Sequence, residues 1–359
     1  MFYFNLALSK LNNGALKNIF YFIVKNLLFA FNYIYFRKVQ IYGKENIPKN
    51  GGILYSPNHQ GAFLDPILIG TLTPKKITSL TRSDVFGGPL QWFMDALNML
   101  PVYRIRNGYS NLKKNDAIFD KCFNIIGNSG NLLMFSEGGH HNEYFLQNLS
   151  KGSSRLVYKA QQKHPDQTIW LMPTGINYGH HQQPHCTLHL VFGKPILVGD
   201  YMNPKNTDAE NINNLRLQLQ SNMKDCLWLP NNDPFYLEKK PLINARSTKM
   251  DFFSLKKALE QEQPNLPLPY KKGKTIQFIA AFLAIPNFIP LWISRKIIGL
   301  FKDIVFYSSM KYAVGALIFP FYWMLLGGCL FLFFNLNVAL IVVAIAVITI
   351  FLRSRVLLK

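Results

Sequence analysis

The chain has 359 residues, 49% of them apolar and 14% aromatic, with 39 Lys and Arg against 19 Asp and Glu, a formal net charge of +20. That length allows one ordinary domain with additional segments, and the surplus of cations implies anionic partners, either nucleic acid or the phosphates of lipids and coenzymes. Long apolar segments decide for the membrane, because the basic residues are dispersed and often adjoin those segments, which argues against nucleic acid.

In chain order, Gly14 to Phe36 is apolar except for Lys17, Asn18, Lys25, Asn26 and Asn32. The seven-residue steps from Asn18 to Lys25 to Asn32 draw a narrow polar stripe on a helix. Residues 1–38 therefore predict a helix lying in the membrane interface rather than spanning it. A signal peptide is disfavoured, since Lys25 interrupts the apolar run and no small-residue cleavage site follows.

Residues 39–232 alternate short apolar strands with helical stretches: Gly51 to Tyr55, Lys76 to Leu80, Leu100 to Arg104, Leu132 to Phe135, Ile169 to Pro173 and Leu188 to Phe192 read as strands. Asn211 to Leu227 reads as an amphipathic helix closing the domain. The pattern predicts an α/β domain around a mixed, mostly parallel sheet flanked by helices.

His59 and Asp65 stand at the mouth of the first of these strands. A proton acceptor beside a carboxylate suits acyl transfer to a hydroxyl, because an alcohol is a poor nucleophile at neutral pH until a base takes its proton. The carboxylate fixes the imidazole tautomer and stabilises the imidazolium, so no nucleophilic Ser or Cys is required. On the residues alone a plainer reading stays open: Asp65 caps a short helix with Pro66 in its first turn, and His59 is a loop histidine.

Further along, Val102-Tyr103-Arg104-Ile105-Arg106 alternates, so Arg104 and Arg106 share one strand face, and a guanidinium fork suits bidentate phosphate binding. Solvated arginines at a strand end give the same pattern. Asn131 to Phe135 reads as a buried strand that presents Glu137 and Gly138 beyond its C-terminal end, the edge where open α/β sheets bind ligands. A plain surface turn is the alternative for Glu137. Lys151 precedes the helical stretch from Arg155 to Ala160, where free N–H groups attract an anion, though Ser and Gly there are also ordinary caps.

Residues 233–272 turn polar with scattered prolines and read as a linker carrying one short helix near Phe252 to Glu262. In residues 273–359, Ile276 to Ser294 approaches the length of a span but is interrupted by Pro286 and Pro290, predicting a re-entrant or interfacial element. Tyr312 to Leu352 contains no Asp, Glu, Lys or Arg. As helices, its two halves on either side of Asn335 reach about 34 and about 25 Å, against a bilayer core of roughly 30 Å, and predict a transmembrane hairpin. Lys311 before it and Arg353, Arg355 and Lys359 after it place both ends, and with them the α/β domain, on the cytoplasmic side.

Cys122, Cys186, Cys226 and Cys329 are widely spaced, which indicates neither a disulfide framework nor a zinc site. His181 and His185 are four apart, but Gln182, Gln183 and Pro184 between them argue for a polar loop over a metal-binding helix, so no metal site is expected.

Four blocks in order resemble the motifs of the glycerolipid acyltransferase family, the lysophosphatidate and glycerol-3-phosphate acyltransferases, over roughly residues 40–200. They are Asn58-His59 with Asp65, Leu100 to Arg106, Phe135-Ser136-Glu137-Gly138-Gly139, and Leu171-Met172-Pro173-Thr174-Gly175-Ile176. Five residues separate His59 from Asp65 where the family motif has four, and Gly61 is the residue expected to absorb the extra one, in a bulge or through a positive-φ turn. Gly139 and His140 stand where the family commonly has Thr and Arg, which shifts weight in phosphate binding to Arg104.

The resemblance implies a membrane-bound O-acyltransferase of phospholipid biosynthesis, in which His59 deprotonates the hydroxyl of a lysophosphatidate, or of glycerol 3-phosphate or a lyso-aminolipid, and Asp65 orients the ring. Arg104, Arg106, Glu137, Gly138 and Lys151 position the acceptor. Acyl-CoA or acyl-carrier-protein is the donor, and no cofactor is expected. Two other classes remain open on the sequence: a lipid hydrolase using the same pair on water, and a non-catalytic scaffold binding membranes through its basic face.

Overall fold

A computed structural model describes residues 2–87, 91–103, 114–269 and 273–358. Eight strands form one sheet: β1 (Lys38–Tyr42), β2 (Gly52–Pro57), β3 (Ile77–Arg82), β4 (Met99–Val102), β5 (Asn131–Leu133), β6 (Ile169–Tyr178), β7 (Thr187–Phe192) and β8 (Ile196–Leu197), in the order β1-β7-β6-β2-β5-β3-β4 with β8 against β6. β6 pairs antiparallel with β7 and β8, and the other pairings are parallel. The fold is thus the mixed, mostly parallel α/β sheet that the alternating pattern indicated.

Side chains of the central strands point alternately to opposite faces. Leu54, Leu132 and Leu171 pack on one side against α4 (Lys114–Gly127), α5 (Gly152–Lys163) and α6 (Asp208–Asp225), through Ile126, Val157 and Leu219 among others. Ile53, Leu133 and Met172 pack on the other, against α2 (Leu64–Leu72) through Leu64, Leu68 and Ile69. Each such side chain, removed from water, contributes about 1.5–3 kcal/mol. Both faces are covered, as parallel strands require.

The N-terminal helix α1 (Phe2–Tyr35) turns its polar stripe inward. Asn18 accepts from Lys76 Nζ at 2.6 Å, Lys25 donates to the Thr73 carbonyl at 2.8 Å, and Asn32 donates to Thr71 Oγ1 at 2.8 Å. Lys25 thereby satisfies carbonyls at the C-terminal end of α2, where a cation is favourable. The opposite face is bare and apolar, with Ile19, Phe22, Ile23 and Leu27 all exposed. From Gly14 to Tyr35 this helix is long and apolar enough to cross a membrane.

The segment read as a polar linker is instead packed structure. Between α7 (Tyr236–Lys239) and α8 (Phe252–Glu260), Tyr236, Leu242, Ile243, Phe252, Leu255 and Leu259 form a third buried cluster with Trp228. Its prolines and polar residues occupy turns, while its few apolar residues are spent on the domain surface, so composition alone conceals it.

In the C-terminal region α9 (Lys274–Phe282) and α10 (Phe288–Gly299) belong to a pair bent by 55° at a short break. Pro286 lies at that break, and Asn287, fully buried, donates to the Ala346 carbonyl at 2.6 Å while accepting from Trp323 Nε1 at 2.9 Å. That fastens the bent pair to the hairpin of α11 (Phe306–Phe333) and α12 (Leu336–Leu358). Both hairpin helices are long and apolar enough to cross a membrane, and they leave Leu317, Phe321, Leu332 and Ile341 exposed.

Candidate active site

β6, β2 and β5 are neighbours and parallel, so their C-terminal ends deliver three side chains to one edge of the sheet: Tyr178, His59 and Glu137. Asn58 locks the departure of the chain from β2. Its amide donates to the Ile176 carbonyl at 3.0 Å and accepts from the Ile176 N–H at 2.7 Å, extending the β2–β6 ladder through a side chain.

Beyond Asn58 the chain turns back on itself, and His59 Nδ1 meets Asp65 Oδ2 at 2.8 Å. Asp65 is fully buried at the start of α2. Its Oδ2 also accepts from the N–H groups of Gln60 at 2.7 Å and Gly61 at 2.8 Å, and its Oδ1 accepts from the Tyr178 hydroxyl at 2.6 Å. Four donors converge on one carboxylate, an acceptor-only arrangement. Burial first, and then Asp65 itself, raise the Tyr178 pKa well above the ordinary tyrosine value, so this hydroxyl stays a donor. With Nδ1–H committed to Asp65, Nε2 is the basic nitrogen of His59, whose side chain is 16% exposed.

The positive φ that the turn requires falls on Ala62, at 43°, and not on Gly61 as expected. Gly61 is needed for space: a Cβ there would sit 2.7 Å from Asp65 Oδ1 and 2.8 Å from the Tyr178 hydroxyl. Gln60 is held from both ends, donating to the Glu143 carbonyl at 2.6 Å and pairing with His181 Nε2 at 3.0 Å. Burial pushes the His181 pKa down to about 3, so the ring is neutral and its Nε2–H donates to Gln60.

Glu137 was expected to face the acceptor, but its side chain is fully buried. One oxygen accepts from the His59 N–H at 2.6 Å, and the other accepts from the Gln147 N–H at 2.9 Å and faces His141 Nε2 at 3.3 Å. Both oxygens are therefore taken by protein donors, and Glu137 braces the backbone that carries His59. The N–H of His141 adds a second brace, donating to the His59 carbonyl at 3.1 Å.

Ser136 lies between Phe135 and Glu137, just past the end of β5. Its buried hydroxyl bonds Ser56 Oγ at 2.5 Å and Ser153 Oγ at 2.6 Å, linking the end of β2 to α5. Gly138 is exposed with φ 72°, and Lys151 is exposed at the N-terminal boundary of α5. β4 ends at Val102, one residue before Tyr103, whose backbone N–H and carbonyl both pair with the Asn115 amide. Arg104 and Arg106 lie outside the described residues.

The open side of His59 is walled by aromatic and membrane-region groups. Its ring stacks on Phe135 with centroids 3.9 Å apart and meets His140 edge-on at 5.6 Å. His140 in turn pairs with Asp303 at 3.0 Å and contacts Phe306 on α11. α11 also supplies Ser309, which donates to the Gly61 carbonyl and accepts from the Leu64 N–H at 3.0 Å. The roles of Tyr178, His141 and Ser309 escaped the sequence reading because each acts through a partner distant in the chain; Asn58 was seen only as part of a motif, and His181 only as a polar-loop residue.

Chemically the arrangement is an imidazole with one nitrogen tied to a buried carboxylate and the other left basic. Among the described residues no Ser hydroxyl or Cys thiol hydrogen-bonds that ring. Such a site suits removal of a proton from an external hydroxyl.

Residues 38–175 match the family model described as Acyltransferase. Over 118 residues the chain is 30% identical to Glycerol-3-phosphate O-acyltransferase 1 of Saccharomyces cerevisiae, a match covering 31% of this chain and 16% of that protein. The chain therefore spans only a small part of that relative. Among solved structures, the 1-acyl-sn-glycerophosphate (LPA) acyltransferase PlsC from Thermotoga maritima aligns with 17% identity and a TM-score of 0.36, covering 51% of this chain and 71% of that one.

Proposed function

We propose, for a chain whose residues 38–175 match the acyltransferase family model, that it transfers a fatty acyl group from a thioester to the hydroxyl of a lysophosphatidate, the finer substrate being our own reading. The observation that carries it is the 2.8 Å hydrogen bond between His59 Nδ1 and an Asp65 already pinned by three other donors. It leaves one imidazole nitrogen poised as a base and holds the ring still.

In this reaction His59 Nε2 takes the proton of the acceptor hydroxyl as its oxygen attacks the thioester carbonyl. A tetrahedral oxyanion forms, the carbon–sulfur bond breaks, and the imidazolium returns its proton to the departing thiolate. The acyl chain moves directly from sulfur to oxygen with no acyl-enzyme. Asp65 stabilises the transient imidazolium, as a carboxylate beside an imidazole does in hydrolases. The donor is acyl-CoA or acyl-carrier-protein, and the steps as written need neither a metal nor an organic cofactor.

Arg104, with Arg106, holds the acceptor phosphate by bidentate contacts. Lys151 adds charge beside Ser150, whose N–H and hydroxyl both donate to the Ser136 carbonyl. Gly138 leaves the turn open to the acceptor, while Glu137 acts as a positioning residue for His59. A lipid-borne acceptor is supported by where the site lies: Asp303 and Phe306, at the start of the hairpin, flank His140 beside the catalytic ring. The chain is integral to the membrane through α11 and α12, with the domain on the cytoplasmic side where Lys311, Arg353 and Arg355 gather.

The test is an assay of purified protein in detergent, offering lysophosphatidate, glycerol 3-phosphate and a lyso-aminolipid with labelled acyl-CoA or acyl-carrier-protein. Glycerol 3-phosphate is included because the yeast relative is named for it. Acylated lysophosphatidate is the expected product. Acylation of none of these by either donor, or hydrolysis of phospholipid without a thioester, overturns the reading.

A further inference from the structure

Away from the His59 turn, a cleft of about 320 Å³ opens between the domain and the end of α12. Its walls include Gln183 from the loop before β7, Thr187 at the start of β7, Asn244 and Arg246 from the turn after α7, and Leu357 of α12. We propose that this cleft binds the phosphate-bearing headgroup of an anionic membrane phospholipid, at a site separate from the catalytic turn.

Basic side chains lie on the cleft and on the segments next to it. Arg246 is exposed on its wall. The Arg37 guanidinium donates to Thr187 Oγ1 at 3.1 Å and to the Ala245 carbonyl at 3.0 Å, both residues of the cleft, and so projects its charge there. Burial first, and then Arg355, two residues before Leu357, and Arg37 lower the His185 pKa to about 4, which sets both guanidinium groups near that ring. Lys311 reaches the same loop, donating to the Gln182 carbonyl at 2.7 Å, and Arg353 Nε is buried without a hydrogen-bond partner.

Among the described residues none of Arg37, Arg246, Lys311, Arg353 and Arg355 forms an ion pair with a carboxylate. Residues 306–359 contain no Asp or Glu at all. Cations held together without counter-charge repel one another, and the protein gains by admitting an anion. A phosphate, with its planar and bidentate complement in Arg, fits that need.

A lipid source is favoured over a soluble one by the wall itself. α12 is one of the helices apolar enough to cross a membrane, and the cleft lies at its C-terminal end, where headgroups sit. Leu357, Ile243 and Pro269 supply the apolar lining that acyl-chain carbons near a headgroup meet. The same loop also sends His181 to Gln60, so an occupant touches the segment that steadies the His59 turn.

The experiment places the full-length protein in nanodiscs of phosphatidylcholine containing phosphatidylglycerol, and counts lipids retained after release into detergent by native mass spectrometry. One phosphatidylglycerol per chain is expected, held at least tenfold more tightly than phosphatidylcholine. The double variant Arg246→Ala/Arg355→Ala should lose that preference, whereas Lys205→Ala/Lys257→Ala, with equal loss of charge elsewhere, should keep it. On the unaltered chain, a photoactivatable phosphatidylglycerol should label residues 241–248 or 352–357, which guards against a variant that fails to fold. Equal retention in the double variant, labelling elsewhere, displacement by millimolar inorganic phosphate, or preferential capture of an acidic carrier protein would each overturn the proposal. Every readout is binding, so failure here is distinct from failure of the acyl-transfer assay.

Discussion

Ser309, on the first helix of the C-terminal hairpin, holds the turn that carries His59 by donating to the carbonyl of Gly61, 248 residues earlier in the chain. The same hydroxyl accepts from the Leu64 N–H, so one side chain bridges the turn just ahead of α2. The C-terminal hairpin and the His59 turn are thus joined by direct bonds rather than by proximity.

If that bridge positions His59, Ser309→Ala should lower kcat by about 10- to 100-fold, the scale on which small misplacements act, while the KM for thioester donor changes little. The unfolding temperature should fall only slightly, since the Leu64 N–H still donates to the Gly61 carbonyl at 2.8 Å when the hydroxyl is gone. Steady-state kinetics on the purified variant, together with thermal unfolding, checks both. An unchanged kcat in a destabilised protein would reduce Ser309 to a purely structural role.

Removing the ring in His59→Ala should reduce acyl transfer by about 10³-fold or more, and Asp65→Asn should come close to it, because an amide NH2 would face N–H donors and lose the tautomer control. Single-turnover measurements with labelled thioester decide this. Vesicle binding should be the same in both variants as in the parent, which separates loss of chemistry from loss of membrane attachment.

Neighbouring positions in the turn should respond oppositely. Gly61→Ala drives a methyl group against Asp65 Oδ1 and the Tyr178 hydroxyl and should abolish activity. Ala62→Gly relieves a left-handed residue and should be neutral or stabilising, by about 1 kcal/mol. Parallel activity and unfolding measurements on the two variants test the pair, and loss of activity in Ala62→Gly with Gly61→Ala unaffected would reverse the assignment.

Acid should destabilise the protein through its buried histidines. Burial lowers His181 to about 3 and His189 to about 4, from an ordinary 6.5. As pH falls below 6.5 the unfolded chain takes up protons that the folded chain refuses, so stability drops, and the loss ends only near those lowered values. One pH unit below 6.5, each such ring costs about 1.4 kcal/mol. Unfolding temperatures between pH 7.5 and pH 5 should therefore decline, and His181→Gln should flatten the decline. A profile that is level in the parent sinks the idea.

Much of the sheet and of the candidate site was legible because local patterns carried it. The alternation of apolar residues in Ile53-Leu54-Tyr55 and Leu132-Leu133 matches their division between the two sheet faces, and the pairing of His59 with Asp65 followed from the motif. β1 was not anticipated, since Lys38-Val39-Gln40-Ile41-Tyr42 is short and half polar and gains its partners only from β7, some 150 residues on.

Where the reading went astray, the deciding contacts were distant. Glu137 sits after its strand as expected, but the arrival of His141 and Gln147 buries it. The polar stripe of α1 was correctly seen as a stripe, yet sequence could not say that Asn18, Lys25 and Asn32 would face Lys76, Thr73 and Thr71 rather than headgroups. In 233–269 a sparse set of large side chains, Tyr236 and Phe252 above all, outweighs a polar majority that composition counts equally.

The distance along the chain between Gly61 and Ser309 also sets an order of events at synthesis. A ribosome must translate the whole domain and then begin the first hairpin helix before the hydroxyl that latches the turn even exists. Until then the histidine loop is held only by bonds within the α/β domain, such as those to Asp65, Glu137 and His141. The latched turn therefore follows synthesis of the first hairpin helix, and a chain stalled short of Ser309 would have its sheet assembled but the turn unlatched.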